Sequence, residues 1–294
     1  MVLQANIFEH EARPVRQGSR VDPVTTPRRE VSRETFMAFD NSPFRAGAQP
    51  QGYAGSQVEV DQGLRSFMLG VYNNMVVGLG ISGLVALALN MAVQTGTIVA
   101  NYKGVPLNQL GVFIYGSWFK YILMLAPLAF IFVFTFRMDR MSAASARTAF
   151  WAFAAVMGAS LSSMLLAFTG ASVVRVFFIT AATFAGLSLY GYTTKRSLSG
   201  MGSFLIMGLI GIIIASLVNI FLASSALQFA ISVIGVLIFA GLTAYDTQKL
   251  KEMYLYSGFD AEGAAKMSVN GALTLYLDFI NMFQFLLSLL GDRR

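Results

Sequence analysis

The chain has 294 residues, 55% hydrophobic and 12% charged, with a net charge of +6 and no cysteine. Soluble domains carry about 25% charged residues, so a large water-soluble core is excluded. The absence of cysteine excludes a disulfide framework, an iron–sulfur cluster and a thiol nucleophile. The one histidine, His10, stands in a polar N-terminal stretch. The rest of the chain therefore lacks the histidines of a membrane metalloprotease and the Ser–His pair of a rhomboid-like protease, and no enzyme is expected. The positive balance is read as loop charge that fixes orientation in a membrane, not as a nucleic-acid surface.

Charge is unevenly placed. Sixteen of the 36 charged residues fall at or before Arg65, and from Gln62 to Tyr245 the only acid is Asp139. Residues 1–60 hold five of the seven prolines and no long apolar period. They are expected to form a mobile tail without an apolar leader segment. Residues 61–294 are expected to form the membrane domain.

Seven apolar stretches follow, at 67–92, 117–137, 147–169, 173–194, 203–224, 226–247 and 268–290. Each has the roughly 20 residues that cross a ~30 Å hydrocarbon core at 1.5 Å rise per residue. The expected fold is an all-α integral membrane protein of seven transmembrane helices. The first is expected to pack through Asn74, Gly78 and Ser82, and the third through Ala155, Ala159 and Ser163, since small residues one turn apart let helices approach in lipid. Pro127 is expected to kink the second. With the N-terminus inside, 16 Lys and Arg lie on the inner side and five on the outer: Lys103, Lys120, Arg175, Arg293 and Arg294. That asymmetry favours a cytoplasmic N-terminus and a C-terminus outside; a re-entrant last helix would return the C-terminus inside.

Two acids interrupt the apolar spans. Asp278 lies in ALTLYLDFINMF, and with Asn270, Thr274, Asn281 and Ser288 it forms a polar stripe near a 3.5-residue period. An Asp at mid-bilayer costs ~2.5–3.5 kcal/mol, so this stripe should face the bundle interior. Asp246, in GLTAYDTQKL, stands near the end of the sixth span, on the side from which the seventh begins. Two carboxylates close together in a low dielectric do not both ionise cheaply, so such a pair can share a proton and, deprotonated, attract a divalent cation such as calcium. The plainer alternatives are a packed, hydrogen-bonded Asp278 and a solvated Asp246 paired with Lys249. Arg137 and Arg140, at the end of the second span, are either ordinary anchors or partners that reach inward to a carboxylate.

The stretches LRSFMLGVYNNMVVGLGISG, FTGASVVRVFFITAATFAGLSLYGYTTKR, GLTAYDTQKLKEMY and LYLDFINMFQFLL together resemble the Bax inhibitor-1 family, in its bacterial YccA-like branch. The resemblance spans about residues 60–291. It implies a central last helix ringed by the others, in a bacterial inner membrane, and a pH-sensitive calcium leak with calcium as permeant ion and no cofactor. It maps the family's paired aspartates onto Asp246 and Asp278, and an arginine that binds them onto Arg137 or Arg140; Asn281 and Thr274 line the same path. It also implies a link to the membrane AAA protease FtsH, for which the basic tail would be the grip. A competing function is therefore regulatory: deleting residues 1–55 would spare ion flux but abolish that role. A seven-helix rhodopsin is excluded because no lysine lies between Ser268 and Leu290. A coupled transporter finds no inverted repeat.

The charge asymmetry generates a direct expectation. In this cysteine-free chain, single cysteines placed in the loops at Lys195–Arg196 and Lys249–Lys266 should react with an impermeant thiol reagent only from the cytoplasmic side. Labelling of either loop from outside contradicts the orientation.

Overall fold

A computed structural model describes residues 51–102, 104–258 and 260–294, with side chains from Asp61 onward except at position 139. The tail expected over residues 1–60, with the protease grip assigned to it, lies over residues 1–50 outside the described residues; residues 51–60 are the first turns of a helix. Seven long helices follow in order: α1 Gln51–Gln94, α2 Phe119–Arg137, α3 Ala143–Ala167, α4 Gly170–Thr193, α5 Ser199–Leu222, α6 Ser225–Ser257 and α7 Ala261–Leu290. All seven are long and apolar enough to cross a membrane. The protein is thus an all-α multi-pass membrane protein.

Helix ends follow local chemistry. Ser142, Thr169, Ser224 and Asp260 each accept a hydrogen bond from the backbone N–H three residues on, which satisfies a donor that the first turn leaves open. The turn between α5 and α6 closes on Ala223 in the left-handed region at φ 48°. Glu262 Oε1 accepts from Ala143 N at 2.6 Å, tying the start of α7 to the start of α3.

The last helix is central. Every residue from 271 to 283 is buried, the signature of a helix enclosed on all sides. The ring around it is smaller than expected: α1, α3, α4 and α6 pack on α7, while α2 packs chiefly on α3 and α5 on α6. The helix is also continuous for 30 residues. Its C-terminal residues dock on the α3–α4 turn: Thr169 N donates to Asp292 O at 3.0 Å, Arg294 N donates to Ala167 O at 3.0 Å, and Arg175 meets Asp292 at 2.9 Å.

Between α1 and α2, where only a loop was expected, strands β1 Ile98–Tyr102 and β2 Val105–Asn108 form an antiparallel hairpin. Gly104 turns it at φ 82°. Val105 and Leu107 pack with Val93, Ile114, Tyr115 and Leu166 in a small separate core. The helix α2 runs on through Pro127.

The α1–α3 contact uses the expected face of α1 but a different face of α3. Gly78 lies against the Phe150 ring, and Ser82 Oγ donates to Ala154 O at 2.7 Å and meets Tyr276 Oη at 2.6 Å. On α3 the buried small residues are Ala154, Gly158 and Ser162, whereas Ala155 and Ala159 are half-buried and Ser163 is exposed. Small residues recur one turn apart on both adjacent faces, and the bulky Phe150, Phe153 and Met157 of the same helix, buried beside the first face, select it.

Gly158 is required by this approach: a Cβ there would lie 2.4 Å from Ser82 O. Gly158→Ala should cost about 1–3 kcal/mol through overpacking, seen as a lower melting temperature of the detergent-solubilised protein. Gly186→Ala, where a Cβ meets nothing within 4 Å, should be neutral or stabilising. Equal melting temperatures for the two variants would contradict the packing.

Candidate functional site

The site is built on α6 and α7. The sixth helix does not end near position 247 but continues to Ser257, where Gly258 at φ 55° stops it. It extends because Lys249, Lys251 and Glu252 are good helix formers outside the apolar stretch. Asp246 therefore stands well inside a helix and is only 3% exposed, while Asp278 is fully enclosed at 0%. The solvated alternative for Asp246 is thereby excluded.

The two buried carboxyl groups are neighbours, and each lies within the other's electrostatic reach. An ionised carboxylate only accepts, so a hydrogen bond between them needs a proton on one partner. The arrangement, buried where α6 crosses α7, can thus hold one proton between two acids.

The polar stripe on α7 turns inward as expected. Thr274 is 4% exposed and donates to Asn270 O at 3.2 Å; Asn281 is 8% exposed and donates to Leu277 O at 2.8 Å. Both satisfy a donor within their own helix, as a dry bundle demands. On α6, Thr243 and Thr247 do the same, to Phe239 O and Thr243 O, each at 2.7 Å.

The arginines do not join the site. Arg137 ends α2, Arg140 lies in the 3₁₀ turn after it, and both are exposed. The cause is helix order: α2 packs chiefly on α3 rather than on the aspartate-bearing helices. The cation whose field reaches Asp246 is Lys249, one turn along the same helix and half-buried.

A hydroxyl chain beside the pair was not expected. Tyr72 Oη on α1 meets Ser188 Oγ on α4 at 2.7 Å, and Ser188 meets Thr247 Oγ1 on α6 at 2.9 Å, next to Asp246 in sequence. Three helices are linked by groups that lipid would not solvate. The only sequence signal was each hydroxyl's presence in an apolar span. Below them, Gln248 holds the α4–α5 connection, donating to Arg196 O at 2.8 Å and accepting from Leu198 N at 2.7 Å.

No group of three or more His, Cys, Asp or Glu exists among the described residues. Two carboxylates offer at most four oxygens, against the 6–8 that calcium takes. A calcium ion at Asp246 and Asp278 would therefore need further oxygen ligands from carbonyls or water.

A family model described as inhibitor of apoptosis-promoting Bax1 matches residues 64–294. The chain belongs to the Bax inhibitor-1 family. Inner membrane protein YbhL of Escherichia coli is 44% identical over 241 residues, 81% of this chain and 97% of YbhL. An uncharacterized protein of Caulobacter vibrioides is 46% identical over 250 residues, covering 83% of this chain and 98% of its own length. Another, from Rickettsia prowazekii, is 46% identical over 234 residues, covering 80% and 92%. The Bax inhibitor-1 match takes in all seven helices and both aspartates.

One larger space in this Bax inhibitor-1 chain is not the site. A cavity of about 1210 Å³ opens sideways between α1 and α4, floored by Phe279 and Phe283. Neither aspartate lines it, and its apolar walls suit a lipid-facing furrow.

The contact across α6 and α7 is testable directly. In the cysteine-free background, Asp246→Cys with Asp278→Cys should be joined by a short bifunctional thiol reagent. Arg137→Cys with Asp278→Cys should not be. Efficient joining of the second pair would restore the arginine to the site.

Proposed function

We propose that the protein is a calcium leak of the bacterial inner membrane, with its N-terminus cytoplasmic, whose conduction follows the protonation state of the Asp246–Asp278 pair. The observation that supports this reading is the juxtaposition of two carboxyl groups, both buried at the crossing of α6 and the enclosed α7. An acid pair placed for packing alone would be an expensive choice, since a well-packed apolar pair of similar volume is often as stable. Its particular property is a charge that changes by one when the shared proton leaves.

With the proton, the pair has a single charge and fastens α6 to α7. Without it, two like charges face each other, and their combined attraction for a divalent cation doubles. Calcium suits the site as a hard cation that takes oxygen ligands. Lys249 sets the resting field at the inner end of the pair. Thr274 and Asn281 continue the polar face along α7 on either side of Asp278.

Asp246→Asn and Asp278→Asn keep size and hydrogen bonding but remove the titrating charge. In proteoliposomes, each should flatten the pH dependence of calcium flux between about pH 6 and 8. The double variant should add little to either single one, because the pair titrates as a unit. Folded single variants with unaltered pH profiles would reduce the pair to a packing element.

A further inference from the structure

The seam between α6 and α7 continues past the acid pair as a series of matched levels. On α6, Asp246, Phe239 and Ser232 follow at seven-residue steps, and seven residues return a helix to nearly the same face. On α7, Asp278 is followed by Asn281, Phe285 and Ser288 on one face. The helices run antiparallel, so these residues meet in pairs. Asp246 contacts Asp278. Phe239 stacks on Phe285, with ring centroids 5.9 Å apart and an interplanar angle of 30°. Ser232 Oγ, whose proton goes to Gln228 O, lies 3.2 Å from Ser288 Oγ and can accept from it.

The aromatic level is filled and dry. Phe239 is 0% and Phe285 7% exposed. The Phe285 ring lies against the backbone of α6 at Gly235, where a Cβ would come within 2.7 Å of it. Gly235 is thus the cutout that lets the ring cross the seam.

Beyond this level the seam becomes polar and open. Ser232 donates to Gln228 O at 2.8 Å, and Asn219 donates to Gln228 Oε1 at 3.2 Å. Asn219, Ser224, Gln228 and Ser288 line a recess of about 430 Å³, with Arg293 at its edge. From Asp278 to Ser288 is ten residues, ~15 Å along the helix, or about half the hydrocarbon thickness. One aromatic pair therefore separates the acid pair from a polar mouth at the C-terminal end of the bundle.

We infer that Phe239 and Phe285 form a hydrophobic gate on the α6–α7 seam, and that the recess at Asn219, Ser224, Gln228 and Ser288 is the outer vestibule of the cation path. A constriction lined by two rings and no polar group closes by excluding water, and a cation cannot shed its hydration there. The acid pair below supplies the attraction, and the vestibule above supplies oxygen ligands to an ion that passes. The inference rests on the reading of the protein as an ion leak, but the position of the gate is testable without flux.

Place single cysteines at Asn281 and Ser288 in the cysteine-free chain, reconstitute in liposomes, and apply a small polar thiol reagent. Ser288→Cys should be modified and Asn281→Cys should remain at background. Adding Phe285→Ala should bring Asn281→Cys to the rate of Ser288→Cys, and Phe285→Leu, which keeps the level apolar, should not. Melting temperatures show which variants are folded; Phe239→Ala provides the second opening if Phe285→Ala is not. In flux, Phe285→Ala should leak calcium faster than wild type, and Phe285→Leu should not. Modification of Asn281→Cys in the wild-type background, or its protection in both folded alanine variants, would overturn the gate. Absence of calcium flux in wild type at every pH, with the thiol pattern as expected, would instead overturn the leak reading and leave a gated seam of other use.

Discussion

A pair of neighbouring carboxyl groups buried inside the bundle is the constraint on which the rest of this structure depends. A charge at mid-membrane is tolerated only when it faces the protein interior and finds a partner. Asp278 can meet that condition only if its helix is enclosed on every side, and α7 is. Asp246 can reach it only if α6 continues past the apolar stretch and lies alongside α7, as it does. Four helices, α6 among them, pack on α7, and the remaining two lean on the outside.

Close helix approach makes this enclosure possible. Gly158 lets α1 and α3 approach backbone to backbone, and Gly191, where a Cβ would lie 2.2 Å from Ala244 O, brings α4 onto α6 two residues from Asp246. In lipid, with no hydrophobic force between helices, such contacts and interhelical hydrogen bonds hold a bundle together. The Tyr72–Ser188–Thr247 chain and the Ser82–Tyr276 contact supply the latter from α1, the helix that meets both α3 and α7. The polar groups thus brace the acid pair from several helices, and the aromatic pair above it sets the pair apart from the C-terminal end.

Much of this was legible in the sequence, and the misses share a cause. Span number and approximate limits follow from length and apolar content, which the bilayer imposes on each helix separately. Asp246 and Asp278 stood out because an acid in an apolar span has few neutral explanations. Which helix touches which is not written in hydropathy. The resemblance linked Arg137 or Arg140 to the aspartates, whereas α2 packs chiefly on α3 and the cation acting on Asp246 is Lys249. The packing face of α3 was misplaced by one residue because Ala154, Gly158 and Ser162 repeat the spacing of Ala155, Ala159 and Ser163. The hairpin at 98–108 gave no alternating signal, since β1 is exposed along its whole length. Hydroxyls such as Ser188 declared a need for a partner without naming it.

The central claim is that Asp246 and Asp278 hold one proton between them. Infrared difference spectroscopy of the reconstituted protein, with aspartate carboxyls isotopically labelled, reads this directly. The account predicts one protonated aspartate per molecule at neutral pH, its carbonyl band altered by either Asp246→Asn or Asp278→Asn. A spectrum with only ionised aspartates at neutral pH, unchanged by both substitutions, would contradict it.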